Sequence, residues 1–204
     1  KKWITHDEMM NITVIAESEE KLKDNIERVQ GIGRQHGCEI VKASFEMGKV
    51  KTGALIVVEQ NHSLLEYERT GIEVDAVVTN QLLINIFEHN TPLHDGAVIV
   101  RGNRVVSATC YLPLSDNMEI SKELGTRHRA AVGISEATDA LTIVVSEETG
   151  SVSIAIAGGI IRAVDADYLK KKLTFIQKKS IDVKRYKLWK ICFYYFCKAS
   201  GKRL

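Results

Sequence analysis

No apolar run in this chain approaches the roughly twenty residues that a bilayer-spanning helix needs, and the N-terminus shows no signal-peptide pattern. Its 204 residues include four cysteines, Cys38, Cys110, Cys192 and Cys197. Their spacing suits neither a zinc site nor a disulfide scaffold, and reduced thiols in a cytosolic protein are the expectation. The usual nucleotide fingerprints are missing as well. Gly31-Ile32-Gly33 lacks a third glycine at the required position and follows no strand, and no phosphate-binding loop ends in Gly-Lys-Ser or Gly-Lys-Thr. A nucleotide, if bound, must be held by another route. There are only two prolines, Pro92 and Pro113. The chain is therefore expected to be a soluble, cytoplasmic protein with no transmembrane segment.

What is present is unevenly distributed. The net charge of +2 conceals an acidic body, with 16 Lys or Arg against 25 Asp or Glu up to residue 169, and a basic tail with 12 against 1. From Ile181 onward the tail also carries six of the 13 aromatic residues. A basic aromatic segment suits contact with anionic lipid or nucleic acid. The reading carried forward is an accessory extension packing against another subunit, with no nucleic acid as a partner.

Hydrophobic spacing predicts one domain of ordinary size with an appendage at each end. From Thr5 to Gln30, Met9, Ile12, Leu22, Ile26 and Val29 suit one face of a helix. A second helix follows from Arg34 to Met47, with Cys38, Ile40, Val41 and Phe45 turned inward. Together they predict an N-terminal helical hairpin. Gly53 to Glu59 is a buried strand, Asp75 to Thr79 an edge strand, and Asn80 caps a helix over residues 81–88. Ala97 to Arg101 and Arg104 to Tyr111 form a hairpin through Gly102-Asn103, with both prolines just outside the paired strands. A helix begins near Thr126. A second hairpin spans Leu141 to Ala157, Ile160 to Ala163 adds a short strand, and Asp165 to Ile176 makes a last helix. The fold class is α/β (α+β), a central mixed sheet of six or seven strands flanked by helices. The divisions are 1–50 as a regulatory or oligomerisation segment, 51–178 as the catalytic domain and 179–204 as the extension.

Two segments carry the chemistry. Thr91-Pro92-Leu93-His94-Asp95-Gly96-Ala97 sets an imidazole, a carboxylate and a flexible glycine before a buried strand. Leu124-Gly125-Thr126-Arg127-His128-Arg129-Ala130-Ala131 brings a hydroxyl, two guanidiniums and an imidazole to a helix start, where backbone N–H groups and the helix dipole favour an anion. Separately these are ordinary: Asp-Gly marks turns about as often as sites, and basic residues often sit on solvated helix starts. Together they supply what phosphoryl chemistry needs.

The pair resembles the Asp-Gly-Ala and Arg-His-Arg motifs of the bacterial diadenylate cyclases, which condense two ATP into cyclic di-AMP and release two pyrophosphates. The resemblance extends from about Gly53 to Leu173. It includes Leu82-Leu83-Ile84-Asn85-Ile86-Phe87, Cys110-Tyr111-Leu112-Pro113-Leu114-Ser115, Ile134-Ser135-Glu136 and Val145-Ser146-Glu147-Glu148-Thr149-Gly150. It implies that Asp95 activates the 3′-hydroxyl, and that His94 and Glu147 hold a divalent metal, Mn²⁺, Mg²⁺ or Co²⁺, on the triphosphate. Thr126, Arg127, His128 and Arg129 would grip phosphates with Ser146 beside them, while Gly96 and Leu112 line the nucleoside pocket. It further implies a homo-oligomer with facing dimers, a hexamer being one such assembly. The chain looks most like the short, soluble, sporulation-associated type, in which N-terminal helices restrain activity. The alternatives are a degenerate module that binds ATP or cyclic di-AMP without making it, and an adenylyltransferase that modifies a protein hydroxyl.

Overall fold

The computed structural model describes residues 3–7, 12–16, 37–117 and 124–179. Seven strands form the central sheet in the order β4-β6-β5-β3-β7-β8-β9. They are β3 (Ala54–Val58), β4 (Ile72–Val77), β5 (Ala97–Arg101), β6 (Arg104–Cys110), β7 (Leu141–Val145), β8 (Val152–Ile156) and β9 (Gly159–Ile161). Only β3 and β5 run parallel; every other neighbouring pair is antiparallel. The mixed α/β sheet expected from the apolar runs is thus present.

The central strands are apolar on both faces because both faces are covered. Ile56 and Val58 of β3, Val98 and Val100 of β5 and Ile143 of β7 share one core with helix α1 (residues 37–49), α3 (Asn80–Phe87) and α5 (Ala166–Lys179). The alternate residues Leu55, Val57, Ala97, Ile99 and Val144 share the other with Leu64, beside α2 (Leu65–Glu68), and with Ala130 to Ile134 of α4 (Thr126–Ala137). The period of two along each strand distributes its side chains between the cores.

Where the first helix of the expected hairpin is described, the chain is extended instead. β1 (Trp3–Asp7) and β2 (Ile12–Ala16) pair as an antiparallel ribbon. Four successive β-branched residues, Ile12-Thr13-Val14-Ile15, lose side-chain freedom in a helix and suit a strand. Residues 8–11 and 17–36 of the expected hairpin, and the tail from residue 180, lie outside the described residues. The second helix is present over residues 37–49, but Cys38 faces solvent while Ile40, Val41, Ala43 and Met47 are buried. Helix α3 is capped by Thr79 and not by Asn80, the Leu82 N–H donating to Thr79 Oγ1 at 3.1 Å. Asn80 is buried and ties α3 to α1, its backbone N–H donating to Glu39 and its Nδ2 to Glu46, both at 2.8 Å.

The topology gathers particular chain ends. β3 and β5 begin at the end of the sheet where β6 and β7 finish and β8 starts. Gly53, Asp95, Leu112, Ser146 and Ser151 therefore arrive at one edge of the sheet, beneath the first turn of α4.

Candidate functional site

A cavity of about 710 Å³ opens at this edge. Asp95, Gly96 and Leu112 line it from β5 and β6, Thr126, Arg127 and His128 from α4, and Ser146 and Glu147 from the end of β7. Eight of the ten residues singled out in the sequence thus meet around one space. Leu55, Cys110 and Leu124 add apolar wall, while Thr149, Ser151 and Arg162 add polar wall.

Asp95 stands exposed at the start of β5, and the next residue controls how closely β6 approaches. Gly96 has φ +105°, and a Cβ there would lie 2.8 Å from the carbonyl carbon of Thr109. A side chain is excluded by both backbone conformation and space. Opposite it, Thr109 itself has φ +59°, uncommon for a β-branched residue, where the β5–β6 register slips. This irregularity allows β6 to end beside Asp95 and to turn Leu112 toward the cavity.

The segment after β6 is fastened across α4. Ser115 N–H donates to the Arg129 carbonyl at 3.1 Å, Ser115 Oγ donates to Glu136 Oε1 at 2.8 Å, and Arg129 Nη2 donates to the Ser115 carbonyl at 3.3 Å. A Cβ at Gly133 would lie 2.2 Å from the Pro113 oxygen, so the helix and the crossing chain touch backbone to backbone. Arg129 consequently turns to this segment and is not part of the cavity wall.

Helix α4 begins at Gly125 with no side-chain cap. Its first-turn N–H groups face the cavity end with the positive end of the helix dipole, an arrangement that suits an anion. Arg127 Nη1 forms an ion pair with Glu147 Oε2 at 2.5 Å. His128 is buried, and its proton affinity is held below the ordinary imidazole value by burial first and by the nearby Arg162 charge second, with Glu148 acting in the opposite sense. It is neutral at neutral pH. Ser146 Oγ accepts from the Thr149 N–H at 3.2 Å, and the Gly150 N–H donates to the Ser146 carbonyl at 2.9 Å, making the β7–β8 turn a fixed polar rim.

His94 lies in the turn before Asp95, outside the cavity wall. Its Nδ1–H donates to the Thr91 carbonyl at 2.6 Å, leaving Nε2 as the free ring nitrogen. Among the described residues no group of three or more His, Cys, Asp or Glu converges as a metal site does. Sequence reasoning passed over Gly53 and Arg162. A Cβ on Gly53 would lie 2.6 Å from Arg127 Nη1, and Arg162 lines the cavity from just beyond β9. Neither belongs to a motif, and only strand order brings them here.

The family model described as DAC, DisA bacterial checkpoint controller nucleotide-binding, matches residues 41–160. Cyclic di-AMP synthase CdaA of Bacillus subtilis is 55% identical over 141 residues, covering 69% of this chain and 52% of the relative. A crystal structure of a double mutant of DacA from Staphylococcus aureus superposes with a TM-score of 0.68 at 43% identity, over 76% of this chain and 98% of that one. Cyclic di-AMP synthase CdaS of Bacillus subtilis, the sporulation-specific type, is 46% identical over 120 residues, 59% of this chain and 58% of the relative. The likeness to CdaA is longer and stronger than that to CdaS of the same organism, which corrects the expected kinship with the sporulation-associated type. The chain spans about half the length of CdaA.

Proposed function

Because the chain belongs to the DAC family of nucleotide-binding domains, we propose that it is a diadenylate cyclase, condensing two ATP into cyclic di-AMP with release of two pyrophosphates. The observation that carries this reading is that one cavity joins Asp95 to the uncapped start of α4, with Thr126, Arg127, His128 and Ser146 around it.

The adenosine lies against the apolar wall by Gly96 and Leu112, placing its 3′-hydroxyl at Asp95. The carboxylate takes the hydroxyl proton as the oxygen forms its bond to the α-phosphorus of a second nucleotide and the bond to pyrophosphate breaks. Thr126, Arg127, the α4 N–H groups and Ser146 offset charge on the phosphates. His128, neutral and hydrogen-bond competent, contributes without adding a charge. Arg129 acts through the backbone, fixing the segment that carries Leu112.

Enzymes of this family use a divalent metal. A hard cation bound mainly through substrate phosphates needs only one or two protein carboxylates, so Glu147, with His94 Nε2 from the preceding turn, fits a metal that arrives with the triphosphate. When bound it would supply further neutralisation of phosphate charge. Mn²⁺, Mg²⁺ and Co²⁺ are the candidates.

Each reacting oxygen must meet the α-phosphorus of the other nucleotide, so a single cavity with one ATP cannot close the ring. Asp95 is exposed at the rim, which suits a second protomer facing the first in a homodimeric or higher assembly. Chromatography of products from ATP with each metal tests the reading. Wild type is expected to give cyclic di-AMP and Asp95→Asn to bind ATP without turnover. A wild type that binds ATP and makes no cyclic product would favour the sensor alternative, and AMP left on a protein hydroxyl would favour the adenylyltransferase.

A further inference from the structure

The strand order also orders the cavity. Its β6 and β5 end is where Leu112 and Gly96 stand; its far end, toward β8 and β9, is polar, with Thr149, Ser151 and Arg162. Asp95 belongs to the first end, so a nucleotide whose sugar meets Asp95 extends its phosphates past the start of α4 toward the second.

Arg162 occupies a defined position there. It directly follows β9, whose Ile161 pairs with Ile154 of β8, and two residues later the Val164 N–H donates to the Val152 carbonyl at 2.8 Å. The backbone is therefore held on both sides of Arg162. Two guanidiniums line the cavity, and they differ. Arg127 is engaged with Glu147, whereas Arg162 makes no ion pair or hydrogen bond among the described residues. It lies near enough to His128, in the first turn of α4, for its charge to lower the imidazole's proton affinity.

The geometry points to Arg162 as the residue that binds the distal phosphates of the triphosphate, the part that leaves as pyrophosphate. This rests on the functional reading above. The α-phosphate lies by α4, where N–H groups and Arg127 meet it. The β- and γ-phosphates reach the polar end, where the wall also carries the Thr149 and Ser151 hydroxyls and the Glu148 carboxylate, and a guanidinium that makes no ion pair there supplies a charge-assisted, bidentate contact. Arg162 thereby distinguishes a triphosphate from a ligand without distal phosphates.

The test compares two ligands on wild type, Arg162→Gln and Arg162→Lys: an ATP analogue with a methylene bridge between the α- and β-phosphorus, and cyclic di-AMP, which has no distal phosphates. Arg162→Gln is expected to weaken the triphosphate analogue about tenfold, the scale of one charge-assisted hydrogen bond at an open site. Cyclic di-AMP affinity should stay at the wild-type value, and Arg162→Lys should recover part of the loss. Equal weakening of both ligands, or no weakening of the analogue, overturns the assignment while leaving the functional reading in place. A wild type that binds neither ligand overturns both.

Discussion

Arg127 Nη1 and Glu147 Oε2 stand 2.5 Å apart, and the backbone of Gly53 passes so close that a Cβ there would lie 2.6 Å from the same nitrogen and 2.9 Å from the same oxygen. Three parts of the chain, before β3, after β7 and at the start of α4, thus meet at one charged contact. The contact holds Arg127 in place and also occupies it, since a phosphate must compete with Glu147 for the guanidinium.

Replacing Gly53 by alanine displaces side-chain ends, which can move, and not backbone. The fold should keep its melting temperature, while turnover falls about 10- to 100-fold because a phosphate-binding group is shifted by a fraction of its own size. Thermal melts and product formation on one preparation check both halves of the expectation.

Glu147→Gln removes the competitor. In the absence of metal, a triphosphate analogue should bind about two- to fivefold more tightly, the range of a partly exposed ion pair. With metal present, turnover should fall. Calorimetric titration with and without chelator measures the first effect, and a variant no tighter than wild type would show that the pair does not oppose binding.

At Gly96 the obstacle is backbone. Alanine would need φ +105° and would place its Cβ 2.8 Å from the Thr109 carbonyl carbon. The β5–β6 pair must separate locally, at a cost on the order of 2–3 kcal/mol. Denaturant unfolding should report that loss, with turnover lost alongside, because Asp95 and Leu112 are positioned by the same contact.

The buried His128 makes stability depend on pH. Its folded-state proton affinity is lowered, by burial first and then by Arg162. The unfolded chain therefore binds more protons as the pH falls below about 6.5, the ordinary imidazole value, and stability declines through that window and down past the folded-state value. Melting temperatures from pH 8 to about 5 should show a slope that is shallower in His128→Asn.

At the other end of the sheet, Arg101 holds Glu59 through Nε and Nη2 at 2.6 and 3.0 Å and Glu68 at 2.5 Å, while Glu59 also accepts from the Leu64 N–H at 2.8 Å. Arg101→Met should cost about 2–4 kcal/mol, because a nearly buried carboxylate loses its cation. Below the melting transition its nucleotide affinity should equal that of wild type, since the clamp lies at the end of the sheet away from Asp95.

Much of this is legible in the sequence alone. Apolar runs such as Ala54 to Val58 and Leu141 to Val145 are strands because a sheet covered on both faces must be apolar throughout, and Gly102-Asn103 marks its hairpin. The N-terminal strands were missed because spacing over Met9 and Ile12 was weighed above the local preference of Ile12-Thr13-Val14-Ile15 for extended backbone. Arg129 was grouped with Arg127 through the Arg-His-Arg motif, yet residues two positions apart on a helix point about 200° apart, so Arg127 lines the cavity while Arg129 reaches Ser115. Kinship with the sporulation-associated type rested on a short sequence without a membrane-spanning run or a long DNA-binding extension, and did not survive comparison across the shared region.

The order of residues alone determined which segments would be strands or helices and which short motifs carry acid, imidazole and guanidinium, because local preference and periodicity are properties of neighbours in the chain. Tertiary structure decided that Gly53 would sit against Arg127, that Glu147 would engage it, and that Arg162, 67 positions beyond Asp95 in the chain, would line the same cavity. Those relations depend on strand order and on how closely backbones approach across the sheet, and neither is encoded within any single stretch of residues.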